Sequence, residues 1–526
     1  MSDPLFPLIP FPQSLELQPG SLQLPSVFGI FYHPIFLNEI RLFQEKFPVD
    51  LTPQIVYLKE EAHLFLHQQI EPDLQPGSYE IHIDPQKILL QSPDKAGLFA
   101  GLQTILQLIR FASHNFVLNG SLPCLVIRDF PRFSWRGFML DEARHFQGSK
   151  TVLELLDWMA YLKMNIFHWH LSDDQGFRIA INQYPALTDV GSKRSATQKG
   201  GFLSHKVTPT PHEGFYTQQE IRSIVAYAAE RYITVVPEID VPGHSSAILA
   251  ACPELGCTGG PYEVQPFWGI HKDILCIGNS ATFPFLENVF TEILDLFPGQ
   301  YIHTGGDEVP KTRWKTCPKC LALANELDLA HVDQLQTYLA NHLNQFLLAN
   351  GRTMLGWNET LADNLAGEMI VQYWLGSKKT LLKHIRNGRK AVLSTFPAYY
   401  LDHTYTHTSL SKVYRFEPVF TSLEADYHHH ILGIEAPLWS EFIPSRQRLD
   451  WQTFPRLLAV AESAWLDPQK KNYAHFRQRL KEFSAQLDLA GIMFAHLSEA
   501  EPNIFQRLSG PISLLQEGKR TRNKKL

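Results

Sequence analysis

Cysteine is scarce in this chain, and its scarcity is the first constraint. Six cysteines in 526 residues do not make the disulfide framework of a small secreted scaffold. Two of them form Cys317-Pro318-Lys319-Cys320, a spacing shared by zinc sites and redox pairs. No second such pair and no suitably spaced histidine pair completes a four-ligand set, so the motif is expected to be structural and not metal or redox chemistry. An excess of basic charge is also missing. The 47 Lys and Arg against 53 Asp and Glu leave a net charge of −6, which gives no footprint for nucleic acid. No run of about 18 apolar residues offers a membrane span. The opening Met1-Ser2-Asp3-Pro4 enters proline-rich text without the basic stretch or apolar core of a signal peptide. These absences favour the cytoplasm and exclude nucleic acid and membrane as expected partners. What remains, 44% hydrophobic and 19% charged residues, is the composition of a globular protein.

The pattern along the chain divides it in three. Residues 1–128 suggest a small α+β domain. Tyr79 to Ile83 alternates as a strand, Lys87 to Gln91 fits as its hairpin partner, and Leu98, Leu102, Ile105, Leu106 and Ile109 recur at helical spacing between Asp94 and Ala112. From 129 to 468 short apolar strands alternate with amphipathic helices. The strands are expected at 137–141, 165–171, 234–239, 301–304, 353–357, 369–374, 390–395 and 431–435. The helices are expected at 151–163, after the capping box Thr217-Gln218-Gln219-Glu220, and at 283–297, 332–349 and 451–465. Eight such units predict an α/β fold of the (β/α)8 TIM barrel class, whose site lies at the C-terminal strand ends. Residues 469–526 add a helical segment and a basic tail with Lys519, Arg520, Arg522, Lys524 and Lys525, expected to be solvated.

The densest chemistry is Tyr301-Ile302-His303-Thr304-Gly305-Gly306-Asp307-Glu308-Val309. The two glycines permit unusual torsions or a close approach. A carboxylate pair beyond a strand end can hold one acid protonated beside an ionised neighbour.

This string resembles the H-x-G-G-D-E signature of glycoside hydrolase family 20, the β-N-acetylhexosaminidases. Further family-like strings follow the same order over roughly 130–466. Arg136-Gly137-Phe138-Met139-Leu140-Asp141-Glu142-Ala143-Arg144-His145 is similar to the family's R-G-x-x-x-D-x-x-R-H. His168-Trp169-His170-Leu171-Ser172-Asp173-Asp174-Gln175 and Pro237-Glu238-Ile239-Asp240-Val241-Pro242-Gly243-His244 also look like family strings. The resemblance implies that Arg144 grips O3 and O4 of a sugar, and that Asp173 and His244 line the site and support the acid. It implies that Trp357, Trp374 and Tyr400 form an acetamido pocket and Trp439 a platform under the ring. Asp402 and Glu441 would accept from O6 and O4. His168 and His170 resemble buried structural histidines of the family, and solvent exposure accounts for His428-His429-His430.

The reaction so implied needs no metal and no organic cofactor, and its partner is a small carbohydrate. Glu308 would be the general acid and then the base, its pKa raised by burial and by its anionic neighbour. Asp307 would orient the substrate's own 2-acetamido group, whose carbonyl oxygen attacks C1 to give an oxazolinium ion. Tyr400 would hydrogen-bond that carbonyl oxygen. A glycosidase with a carboxylate nucleophile, a relative releasing disaccharides, and a non-catalytic carbohydrate-binding barrel are the other readings. A phosphate-binding barrel lacks its glycine-rich loop after strands seven or eight.

Overall fold

Eight short segments rich in β-branched and aromatic residues close into one parallel barrel, because each is too short and too apolar to stand exposed. The computed structural model describes residues 6–48, 51–68, 74–114, 120–362, 365 and 367–508. In barrel order the strands are Trp135–Asp141, Ile166–His170, Thr234–Glu238, Tyr301–His303, Thr353–Trp357, Ile370–Tyr373, Ala391–Leu393 and Ile431–Leu438, the last pairing with the first. All eight sequence-marked strands are present, and the largest change is at the eighth, expected to end at 435 and running to Leu438. Trp135, Ile166, Val236, Leu355, Ile370 and Val392 form a separate apolar plug near the strand starts. Above it the lumen is polar. Glu435 Oε2 accepts from Trp135 Nε1 (2.9 Å), and its Oε1 accepts from Gln372 Nε2 (2.7 Å) and bonds His168 Nδ1 (2.7 Å). A sealed floor under a polar shaft places the chemistry at the opposite, C-terminal mouth.

The helix after the first strand, Ser149–Tyr161, buries Val152, Leu155, Leu156 and Met159 on one face, as the spacing requires. The helix Gln218–Glu230 begins at the expected capping box, with Glu220 N donating to Thr217 Oγ1 and Thr217 N to Glu220 Oε2. The expected helix over 451–465 is two helices, Arg446–Thr453 and Arg456–Trp465. Pro455 supplies no N–H and biases Phe454 toward extended backbone, found at φ −104°, ψ 136°. Among the described residues after 469 there are three helices, not one: Tyr473–Leu489, Leu497–Ala500 and Ile504–Leu508. The basic-tail residues Lys519, Arg520, Arg522, Lys524 and Lys525 lie outside the described residues.

Ahead of the barrel stands a seven-stranded sheet in the spatial order Ser14–Gln23, Ser121–Asp129, Tyr79–Ile83, Ile88–Ser92, Leu64–Gln68, Val27–Phe31 and Thr52–Ile55. Helix Lys95–His114 covers it with the expected Leu98, Leu102, Ile105, Leu106 and Ile109 buried. A buried polar knot joins sheet and barrel. Lys163 Nζ donates to Asp129 Oδ2 (3.1 Å) and Tyr79 Oη (2.6 Å), and Trp465 Nε1 donates to Asp129 Oδ1 (2.8 Å). Each polar group there has a partner, which is what makes its burial affordable.

The cysteine pair has neighbours that its spacing did not show. Cys317 and Cys320 do have two further sulfurs beside them, Cys257 and Cys276, and the four lie within 4.8 Å of one another. Those two sit far from the pair in sequence with no motif of their own, so spacing alone did not find them. Among the described residues no helix is long and apolar enough to cross a membrane. His428, His429 and His430 end a 3₁₀ turn, with His428 and His429 exposed.

Candidate active site

The acid pair sits where the fourth strand leaves the barrel, and the two glycines before it are sterically required. Gly305 has φ +67°, and a Cβ there would lie 1.8 Å from Asp240 Oδ1. Gly306 has φ +94°, and its Cβ would lie 2.5 Å from Thr360 Cγ2. Their absence of side chains lets Gly306 N donate to Asp240 Oδ1 at 2.9 Å and Gly305 N to His303 Nδ1 at 3.0 Å. The turn drives the next two side chains into different surroundings. Asp307 has a side chain 12% exposed, whereas that of Glu308 is 35% exposed. The burial expected of Glu308 therefore falls on its neighbour. A partly open acid and a buried one is the asymmetry that two adjacent carboxyls need to act differently.

Asp307 lies beside a second carboxyl, Asp240, which belongs to the Pro237–His244 string but is not among the expected site residues. Burial, reinforced by the charge of Asp307, holds Asp240 well above the usual carboxylate range. Burial also raises Asp307, against the pull of His244 and a hydrogen bond from Asp240. Of the two, Asp240 is pushed up the more, the arrangement in which a shared proton would sit on Asp240 and face Asp307.

His244 is the hub on the other side. Its Nδ1 bonds Asp173 Oδ1 and Asp174 Oδ2, each at 3.1 Å. Its Nε2 faces Glu308 Oε2 at 3.7 Å and Asp307 Oδ2 at 4.0 Å. Burial opposes its charge, but Asp173 and the surrounding carboxylates outweigh burial and raise it well above the ordinary histidine value. A cationic His244 then bridges the Asp173–Asp174 pair to the acid pair. His244 (φ 46°) and Glu308 (φ 48°) are both non-glycine residues in the left-handed region. Such backbone costs on the order of 1–3 kcal/mol and clusters where a geometry is imposed for function.

Arg144 extends the charge chain. Its Nη2 donates to Asp173 Oδ2 (2.7 Å), its Nε to Gln175 Oε1 (3.0 Å), and its guanidinium lies 4.9 Å from the Trp439 ring centroid. Burial disfavours the cation, but Asp173, Asp141 and Glu441 together raise it well above its usual value. Burial raises Glu441 in turn, with Arg144 pulling it back. Two buried arginines hold this loop from beneath. Arg178 donates to the carbonyls of Glu142 (3.0 Å), Ala143 (2.6 Å) and Ser192 (2.7 Å), and Arg194 Nη1 to that of Arg144 (2.6 Å). Neither arginine falls in a family-like string, so nothing in the sequence singled them out.

The aromatic residues come from the strand ends on the far side of the mouth. Trp357 is buried, donates Nε1 to Glu238 Oε1 at 2.8 Å, and sits 5.9 Å from Trp439. Trp374 stacks on Tyr400 with centroids 6.0 Å apart and planes at 28°. Its Nε1 donates to Glu359 at 3.0 Å, another partner the sequence did not mark. Burial raises the Tyr400 hydroxyl, an indole hydrogen bond from Trp439 lowers it, and the charges of Asp402 and Asp307 add to the rise. Asp402 is held by its backbone, its carbonyl accepting from Gln452 Nε2 at 2.7 Å. Leu401 N donates to Pro437 O at 2.8 Å, which ties this segment to the eighth strand just ahead of Trp439 and Glu441. Contacts thus link Arg144, Asp173, His244, Asp307 and Glu308 in one charged chain, and pair Trp357 with Trp439 and Trp374 with Tyr400, the Trp439 ring meeting the chain at Arg144. His168 and His170 lie in the lumen, His170 against Glu238 and Asp173, His168 against Glu435. Rings beside buried carboxyls and an arginine suit a ligand with an apolar face, several hydroxyls and a bond for an acid to protonate.

Comparison with known proteins gives the same picture from outside. Residues 133–468 match the model of the glycosyl hydrolase family 20 catalytic domain, and residues 6–130 match that family's domain 2. A β-hexosaminidase of Porphyromonas gingivalis is 35% identical over 506 residues, covering 93% of this chain and 64% of that protein. The chain thus spans just under two thirds of that relative's length. A β-hexosaminidase of Vibrio furnissii is 37% identical over 438 residues, covering 77% of this chain and 70% of its own. Among solved structures, the exo-β-N-acetylglucosaminidase of Vibrio harveyi in complex with N-acetylglucosamine superposes with a TM-score of 0.83. It has 29% identity and covers 94% of this chain and 79% of its own.

Proposed function

Because the chain belongs to glycosyl hydrolase family 20, we propose that it is an exo-acting, retaining β-N-acetylhexosaminidase that removes terminal β-linked GlcNAc or GalNAc. The observation that carries the proposal is the unequal acid pair, Asp307 buried and Glu308 partly open, facing an aromatic wall. Glu308 protonates the leaving glycosidic oxygen and later takes a proton from water. Asp307 supplies no nucleophile; it orients the substrate's acetamido N–H and offsets the positive charge of the oxazolinium ion that its carbonyl oxygen forms at C1. Tyr400 donates to that carbonyl oxygen, within the pocket of Trp357 and Trp374. Trp439 carries the sugar ring, and its contact with the Arg144 guanidinium fixes the distance between platform and hydroxyl clamp.

Exo action follows from Arg144, Asp402 and Glu441 holding O3, O4 and O6 of the terminal sugar. A substituted hydroxyl would leave a buried charged partner unpaired, a strong rejection. Chito-oligosaccharides labelled at the reducing end should shorten by one GlcNAc at a time. Early internal fragments or released dimers would contradict the closed pocket.

The Asp240–Asp307 contact gives a sharper test of the charge assignment. Asp240→Asn keeps a donor toward Asp307 and should hold kcat within about tenfold of the parent, while Asp240→Ala should lose about 10–100-fold, the size of a lost hydrogen bond to a charged group. Equal losses for the two variants would mean that Asp240 acts by its charge and not as a donor.

A further inference from the structure

The sulfurs of Cys257, Cys276, Cys317 and Cys320 cluster beside the acid loop, three of them buried and that of Cys257 partly so. Cys257 follows the 3₁₀ turn Pro253–Leu255, and Cys276 precedes helix Thr282–Leu296. Cys317 caps helix Pro318–Glu326, and Cys320 lies in its first turn. Cys276 and Cys320 are fully buried and Cys317 is 4% exposed. The Sγ–Sγ separations are 3.6 Å for Cys276–Cys320, 3.7 Å for Cys276–Cys317 and 3.9 Å for Cys257–Cys320. A disulfide needs about 2.05 Å, so none of these pairs is one. A tetrahedral zinc with Zn–S bonds of about 2.3 Å sets its sulfurs about 3.8 Å apart. The three separations fall around that edge length.

We propose that Cys257, Cys276, Cys317 and Cys320 bind one structural Zn²⁺ as a four-thiolate site. Thiols in plain van der Waals contact could approach as closely, but two further features distinguish a site from packing. First, all four sulfurs lie within 4.8 Å of one another, whereas Cys124 and Cys252 lie outside this group. Second, the two loops are in backbone contact around it. A Cβ on Gly278 would lie 2.2 Å from the Lys319 carbonyl and 2.4 Å from Cys320 N, so only glycine lets Cys276-Ile277-Gly278 lie against Cys317-Pro318-Lys319-Cys320. That apposition holds the ligands in place before the metal arrives. Four protein ligands leave no open position, which fits a structural and not a catalytic ion.

The site would act on the mouth of the barrel through short links. Leu275, next to Cys276, donates its N–H to Pro242 O at 3.1 Å, two residues before His244. Trp314 Nε1 donates to Leu275 O at 2.9 Å, and Trp314 lies between Glu308 and Cys317 on the acid loop. The ion thereby clamps the loop carrying His244 to the loop carrying Asp307 and Glu308. These residues would be positioned by it without touching it.

The test is metal content, read before any activity. The full chain, expressed with zinc and purified without chelator, should carry about one zinc per chain, released by a thiol-modifying reagent. Cobalt-loaded protein should show the thiolate-to-cobalt charge-transfer band and the intense visible bands of a tetrahedral site. Cys276→Ser and Cys317→Ser should lose the bound zinc, and Cys124→Ser should keep it. If a ligand variant fails to fold, the parent's stoichiometry and cobalt spectrum still decide. Iron in place of zinc, parent protein with no bound metal, or zinc retained by Cys276→Ser would each overturn the assignment.

Discussion

Glu308→Gln should lower kcat on chito-oligosaccharides by about 10²–10⁴, the usual range for a lost general acid. The variant keeps the size of the side chain and should tolerate the left-handed backbone at φ 48° as the parent does, so folding is not the issue. What it loses is a titratable proton at a side chain 35% exposed, open enough to meet a leaving sugar. His244 Nε2 lies 3.7 Å from Glu308 Oε2, so the cation remains to orient whatever occupies the position. An aryl glycoside whose leaving group needs little protonation should lose much less in the cleavage step. Kinetics on the oligosaccharide and the aryl substrate, side by side, give the contrast. Near-parental turnover of the oligosaccharide would remove Glu308 from the mechanism.

Sequence made the barrel legible because its strands are short apolar runs ending in polar or aromatic residues, and that change of character marks where a strand meets the mouth. Thr353–Trp357 is found with its expected ends for this reason. The site residues on those ends were legible through strings such as His303 to Glu308, whose glycines the structure requires at Asp240 and Thr360. Contacts between strings were not legible. Asp240 and Asp307 meet because the third and fourth strands are neighbours, and no spacing in one segment encodes that. Burial passed to Asp307 instead of Glu308 for a similar reason: the turn at Gly305-Gly306 decides which side chain faces inward, and two adjacent acids look alike in sequence. Cys257 and Cys276 reach the Cys317 pair by the same packing of loops. Helix 451–465 failed more simply, since its apolar spacing persists across Pro455 while its backbone does not.

Asp307→Ala should lower kcat/KM for an aryl 2-acetamido-β-glycoside by about 10²–10³, the cost of removing one preorganised group from a developing charge. Asp307 is suited to that work by its surroundings. Burial raises its affinity for a proton, and Glu238 and Glu308 reinforce the negative potential there, so a cation formed beside it is favoured over water. His244 and Asp240 pull against that rise and so favour the carboxylate form. The parent should therefore prefer the 2-acetamido substrate strongly over the matching 2-hydroxy glycoside, and Asp307→Ala should erode that preference. A carboxylate nucleophile would behave otherwise, because it would need no acetamido group and its removal would damage both substrates alike. A thiazoline analogue of the cyclic intermediate separates the two cases by binding alone. It should bind the parent about 10²-fold or more tightly than GlcNAc, with much of that advantage gone in Asp307→Ala. A thiazoline held no better than free GlcNAc, together with equal rates on the paired glycosides, would assign the attack on C1 to an enzyme carboxylate instead.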